Sequence, residues 1–151
     1  LVVNLLGRTF IGSFDDPFRA MDKILEEFQG QPKAILLDFH AEATSEKGAM
    51  GWYLDGRVTA VMGTHTHVPT ADARLLPKGT AFVTDVGMVG PRDSVIGADP
   101  DDVLERFFSL GPNRLEVASG HIVQFNSVLL ELDDATGSSR SISRVDREVV
   151  L

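Results

Sequence analysis

Two of the four histidines in this chain stand one residue apart, His65 and His67, in the stretch GTHTHVPT (residues 63–70). An imidazole nitrogen is a good ligand for ions such as zinc and iron. A strand alternates its side chains, so an extended H-x-H would project both rings to one side. At a rise of about 3.3 Å per residue their Cα atoms would lie roughly 6 to 7 Å apart. That spacing lets the rings converge on one ion, or serve two ions roughly 3.5 to 4 Å apart. Spacing alone does not separate a metal pair from two polar residues of an ordinary loop.

His40 closes an earlier apolar run, AILLDFH (34–40). In an open α/β sheet, functional groups gather beyond the carboxyl ends of the strands. His40, His65 and His67 are therefore expected in one place. Asp38 would share the strand face of His40 and could orient its imidazole as an acceptor behind it. A solvated or capping carboxylate is the equal alternative. Arg8, just after the first strand, could meet a substrate phosphate across the crevice, against the default of a surface arginine paired with an acidic neighbour. Asp85, in FVTDVGM, is expected in a turn, and His121, in SGHIVQFN, as a structural residue. GMVG (87–90) is too short for a phosphate loop and lacks a Lys-Ser or Lys-Thr partner. There is no G-x-S-x-G elbow either. Metal chemistry is the signal that stands out.

These residues need strands to carry them. Val2 to Leu6 is a short apolar run ended by Gly7, the pattern of a buried strand. A helix follows, capped by Asp15 or Asp16, with Pro17 in its first turn and Gly30 and Pro32 as its stop. Phe18, Met21, Ile24, Leu25 and Phe28 fall on one face of it. The run 34–40 is a second strand, Thr44 to Leu54 a second helix in which Met50 and Trp52 look like packing residues, and VTAVMGT (58–64) a third strand leading into His65. Strand, helix, strand, helix, strand argues for a layered α/β sheet with parallel neighbours. ARLLP and TAFVTD then read as short strands around a turn at residues 77–79. A Gly- and Asp-rich loop over 87–100 precedes a helix in DPDDVLERFFSL, whose acidic first turn suits the macrodipole. The remainder alternates and turns near 134–138, the pattern of an antiparallel hairpin.

The composition bounds the function. At 151 residues the chain is the size of one domain, and its 43% hydrophobic and 24% charged content is that of a globular protein. With no cysteine, thiolate metal sites and cysteine nucleophiles are excluded, and a reducing cytoplasm is the expected location. A net charge of −8 argues against duplex nucleic acid as a partner, though not against a small phosphorylated substrate beside a bound cation. No apolar run reaches the length of a membrane span. The chain opens on LVVNLLG, directly in a strand, and is expected to be a segment of a longer protein or the product of cleavage.

The stretches NLLGRTFIGSFDDPFRAMD, ILLDFHAEATSEK, VMGTHTHVPTADARLLPKGTAFVTDVGM and IVQFNSVLLELD together resemble the carboxyl-terminal part of the bacterial YmdB-like proteins, of the calcineurin-like metallophosphoesterase superfamily. The resemblance covers nearly the whole chain, and its D-F-H-A-E and G-T-H-T-H elements are specific. It implies a single metallophosphoesterase domain over 1–151 that lacks its amino-terminal half, within a four-layer α/β/β/α sandwich. It implies two metal ions, commonly iron or manganese, and phosphodiesterase activity on cyclic nucleotides such as 2′,3′-cyclic AMP. A hydroxide bridging the metals would attack phosphorus in line. His40, His65 and His67 match the family's ligands, His40 and His65 for one metal and His67 for the other. Two histidines one residue apart at a strand end also suit two adjacent metals better than one.

The family's G-D-x-x-G and G-N-H elements are missing here; Asn4, Asn113 and Asn126 are not followed by histidine. No residue of this chain is therefore assigned as catalytic acid. Two other readings stay open: a mononuclear zinc hydrolase or hydratase using the same three histidines, and a non-catalytic domain that keeps the fold. Partners expected are a small phosphodiester and a further copy of the chain in a homo-oligomer.

Overall fold

In the computed structural model, which describes residues 1–29, 31–112 and 114–151, the apolar runs of the first third become parallel neighbours in one sheet. Gly30, read above as a helix stop, and Asn113 lie outside the described residues. The first half of the chain runs β1 (Val2–Leu6), α1 (Pro17–Glu27), β2 (Leu36–His40), α2 (Thr44–Leu54), β3 (Ala60–Thr64), β4 (Arg74–Leu75) and β5 (Ala81–Val83). These strands form a five-stranded sheet ordered β1-β2-β3-β5-β4. All neighbours are parallel except β4, which returns antiparallel to β5 around the expected turn.

Local chemistry sets the helices. Asp16 is the N-cap of α1: its carboxylate accepts from the Phe18 N–H at 2.9 Å and the Arg19 N–H at 3.4 Å. Pro17 follows, where it has no needed N–H to lose. Met21 is fully buried, and Phe18, Ile24 and Leu25 pack beside it. Burying a side chain of that size contributes about 2 kcal/mol. Phe28, past the last turn, is exposed. In α2 the buried positions are Lys47, Met50, Gly51 and Leu54, a helical i, i+3, i+4, i+7 row. Trp52 does not pack as expected: it is 57% exposed, because two residues beyond Met50 is about 200° around the helix.

Both helices share one core with Val3, Leu37, Phe39, Val61 and Phe82 of the sheet. These residues alternate along their strands. The intervening residues, Val2, Asn4 and Leu6 of β1 with Asp38 and His40 of β2, therefore line the opposite face.

The second half departs from the sequence reading. The loop expected over 87–100 contains a strand, β6 (Val89–Pro91), ahead of α3 (Pro100–Ser109). The single terminal hairpin is in fact four strands in two sheets: β7 (Ile122–Phe125), β8 (Val128–Leu132), β9 (Ser139–Arg144) and β10 (Arg147–Val150). β8 and β9 form the hairpin, while β7 lies between β6 and β10. Alternation marks these segments as strands but does not choose their partners, and β6 is too short to alternate visibly. The hairpin's Gly137 carbonyl accepts from the Thr59 hydroxyl at 2.7 Å, and the Ser139 hydroxyl donates to the Thr59 carbonyl at 2.7 Å, tying this unit to the large sheet. Among the described residues no helix is long and apolar enough to cross a membrane.

Candidate metal centre

The register of the large sheet pairs Asn4 with Asp38, Leu6 with His40, and His40 with Thr64. Register partners in parallel strands face the same side, so a polar row forms across β1, β2 and β3 on the face away from the helices. Its hydrogen bonds converge on Asp38. The Asp38 carboxylate accepts from the Asn4 amide and from the Thr64 hydroxyl, both at 2.8 Å. Thr64 has one hydroxyl proton and gives it to Asp38, so toward His40 it accepts. His40 Nδ1, at 3.1 Å, carries the proton, and Nε2 keeps its lone pair. Asp38 thus orients His40 as expected, but through Thr64 rather than directly.

The His40 Nε2 lone pair faces His65 Nδ1 at 3.0 Å, with the rings crossing at 84°. His65 Nε2 makes a close contact with the Glu42 carboxylate. Two ring nitrogens face to face need either a hydrogen between them, carried by one ring as its N–H, or a shared metal ion. Bonds of about 2.1 Å at right angles around one ion would place two nitrogens about 3.0 Å apart, so the observed separation suits either. His67 turns away from this pair. Its Nδ1–H donates to the Ile96 carbonyl at 2.8 Å, which leaves Nε2 free with its lone pair.

The expected extended H-x-H is not what forms. β3 ends at Thr64, and both histidines have positive φ, 130° at His65 and 64° at His67. The residue between them explains the bend. The Thr66 N–H donates to Asp85 Oδ2 at 2.9 Å, a bond that an uninterrupted strand would not direct there. Asp85 is therefore more than the turn residue expected from its sequence context. Its side chain is fully buried, its Oδ1 accepts from the Gly87 N–H at 2.9 Å, and its Oδ2 also meets the fully buried Lys47 ammonium at 2.9 Å. Burial pushes the Asp85 carboxyl up, but the Thr66 and Gly87 N–H groups and Lys47 together hold it below the usual carboxylate range.

Close packing locks the same corner. A Cβ at Gly63 would stand 1.8 Å from the Thr84 carbonyl oxygen and 3.0 Å from Lys47 Cδ, so only glycine lets β3 approach the end of β5 here. Arg144 donates to the Val86 carbonyl at 2.7 Å and to Asp146 at 2.8 Å, and holds the Asp146 carboxyl down at about 2. Glu46 accepts from the backbone N–H groups of Arg8 and Thr9. The Arg8 guanidinium pairs with Asp16 at 3.4 Å, the default role rather than a phosphate contact. His121 is exposed just before β7, and its carbonyl accepts from the Leu151 N–H at 2.8 Å.

Sequence reasoning missed Lys47, Thr64, Glu42 and Ile96. Lys47 left a signal, a lysine on the apolar row of α2. Thr64 left one too, as the register partner of His40. Among the described residues no group of three or more His, Cys, Asp or Glu side chains forms a metal cage. His40, at the end of β2, and His65 meet; His67 shares the loop of His65 but faces Ile96.

The family model described as YmdB-like protein matches residues 1–145. The chain belongs to the YmdB-like family. A relative from Bacillus subtilis (strain 168), the 2′,3′-cyclic-nucleotide 2′-phosphodiesterase, is 50% identical over 144 residues, which cover 95% of this chain and 54% of the relative. A solved structure of a hypothetical protein from Thermus thermophilus is 44% identical with a TM-score of 0.91, over 98% of this chain and 57% of that one. The solved structure of a phosphatase from Mycoplasma pneumoniae is 38% identical with a TM-score of 0.89, over 99% of this chain and 53% of that one. This YmdB-like chain thus spans little more than half the length of each of these three proteins.

Proposed function

We propose that the chain is the carboxyl-terminal part of a dinuclear-metal phosphodiesterase that hydrolyses 2′,3′-cyclic nucleotides, and that His40, His65 and His67 are its ligands to the two ions, iron or manganese. One observation carries the reading: the partners of His40 and His67 fix both rings as Nδ1–H tautomers, which leaves Nε2 lone pairs available to metal. The donor chemistry fits. His40 and His65 would serve one ion and His67 the other, with the remaining ligands supplied from outside this chain.

When bound, the ions would supply Lewis acidity, drawing charge from the phosphoryl oxygens and lowering the pKa of a water. The chain's own part is orientation. Asn4, Asp38 and Thr64 hold His40 in one tautomer, and Asp85 with Lys47 fixes the loop that presents His65 and His67. Hydrolysis forms a new bond from water oxygen to phosphorus and breaks the bond to the ribose 2′ oxygen. That oxygen takes a proton, leaving a 3′-phosphate. No side chain of this chain is assigned that proton. A single zinc on all three histidines is less well supported, since His67 faces away from the other two.

The proposal extends to the fold. Val2, 73% exposed, and Leu6, 42% exposed, lie on the sheet face opposite the helices. Further layers of a four-layer α/β/β/α sandwich would cover them. Lack of cysteine suits a reducing cytoplasm. In the complete polypeptide that carries this chain, 2′,3′-cyclic AMP should be hydrolysed and His67→Ala should abolish turnover. Near wild-type kcat with normal metal content in that variant would refute the assignment.

A further inference from the structure

The Ile96 carbonyl that fixes His67 belongs to a tight turn. Val95 and Ala98 exchange both backbone hydrogen bonds, at 2.9 and 3.0 Å, around Ile96 and Gly97. Ile96 has φ 51° and Gly97 φ 102°, both positive as a type I′ turn requires. Glycine is expected at such a position and asparagine is common, but a β-branched residue is an outlier. Backbone strain of this kind persists where the surroundings over-determine it, often at ligand clamps.

What isoleucine adds over asparagine is its side chain, 55% exposed. It stands in a groove of about 350 Å³ whose other walls include His67, Met88, Val89, Leu115 and Val117. That volume lies within the range of about 300–1,000 Å³ typical of small-ligand sites. Val89 is 60% and Val117 78% exposed, so a flat apolar ligand would cover surface that is now open to water. Met88 brings a thioether, which makes favourable contacts with aromatic rings. One ring, His67, belongs both to the candidate metal centre and to the wall of this groove.

We propose that the groove is a nucleobase subsite, with Ile96 as a specificity-determining wall for the substrate whose phosphate is held at the histidines. The inference rests on the phosphodiesterase reading above. A heterocycle is the occupant favoured here because the groove begins at His67, a proposed ligand of the ions that would hold the phosphate, so one nucleotide can span both. The strained turn then serves two ends: its carbonyl fixes the His67 tautomer, and its side chain meets the base.

Two measurements test this. The first is a titration of the complete polypeptide with adenosine, which has no phosphate to bring it to the metals, read from the methyl resonances of Met88 and Ile96. Shifts with adenosine and none with ribose are expected; no adenosine shift overturns the subsite. The second uses Ile96→Asn in the complete polypeptide, a substitution the turn accommodates. The ratio of kcat/KM for 2′,3′-cyclic AMP to that for ribose 2′,3′-cyclic phosphate should fall about tenfold, as for loss of an apolar contact. An unchanged ratio also overturns the subsite. Adenosine shifts without hydrolysis of either ester would retain the subsite and remove the phosphodiesterase reading. Hydrolysis without shifts would do the reverse.

Discussion

Lys47→Met isolates the device that bends the histidine loop. Methionine is close to lysine in length, so the substitution removes a charge without opening a large cavity. It leaves the Asp85 carboxylate fully buried without its 2.9 Å cation. Breaking one partner of a buried pair costs about 3–5 kcal/mol. Asp85 keeps two backbone donors, Thr66 and Gly87, each at 2.9 Å, which places the expected loss at the lower end, about 3 kcal/mol. The sign with pH follows from the shift. In the wild type the Asp85 carboxyl is held below its ordinary value, so its stabilisation is present above the unfolded pKa of about 3.9 and is lost as pH falls through the lower folded value. Without Lys47, burial is offset by fewer groups, so the folded pKa should rise. The penalty is then greatest near neutrality and shrinks as pH falls through the raised value. Urea unfolding of both proteins at about pH 7 and about pH 4.5 reads this directly. Adding Asp85→Asn, which removes the stranded charge, should recover part of the loss. A deficit under about 1 kcal/mol, or one that does not change between the two pH values, would refute the reasoning.

Two further substitutions probe the site from either side. Thr64→Val keeps the strand but removes the hydroxyl linking His40 to Asp38. Metal affinity should fall by about 10- to 100-fold with stability lower by only about 1 kcal/mol, and competition with a chromophoric chelator would show it; unchanged affinity would mean the tautomer needs no such support. Gly63→Ala should destabilise by about 3 kcal/mol, because the Thr84 carbonyl it meets is backbone. A thermal melt matching the wild type would show that the β3–β5 approach is not as tight as described.

The elements legible in the sequence are those written locally. β1 and α2 have the expected bounds, since apolar runs and their glycine, proline and aspartate punctuation mark the ends of elements within a few residues. The convergence of His40 and His65 is legible too, because both stand at carboxyl ends of adjacent parallel strands. The path of the chain past Thr64 is not. It depends on a hydrogen bond from Thr66 to Asp85, 19 residues onward, and on a lysine from α2 that makes a buried carboxylate tolerable there. The pairing of β6 with β7, across α3, is non-local in the same way. Trp52 is misplaced by counting apolar residues without following their angle around the helix.

The central claim is that three histidines of this chain are metal ligands, and metal stoichiometry tests it most directly. Elemental mass spectrometry of the complete polypeptide, after mild dialysis, should find two iron or manganese ions per chain. His65→Ala should lose one and His67→Ala the other, each variant still folded by circular dichroism. Two ions retained by both variants would contradict the account.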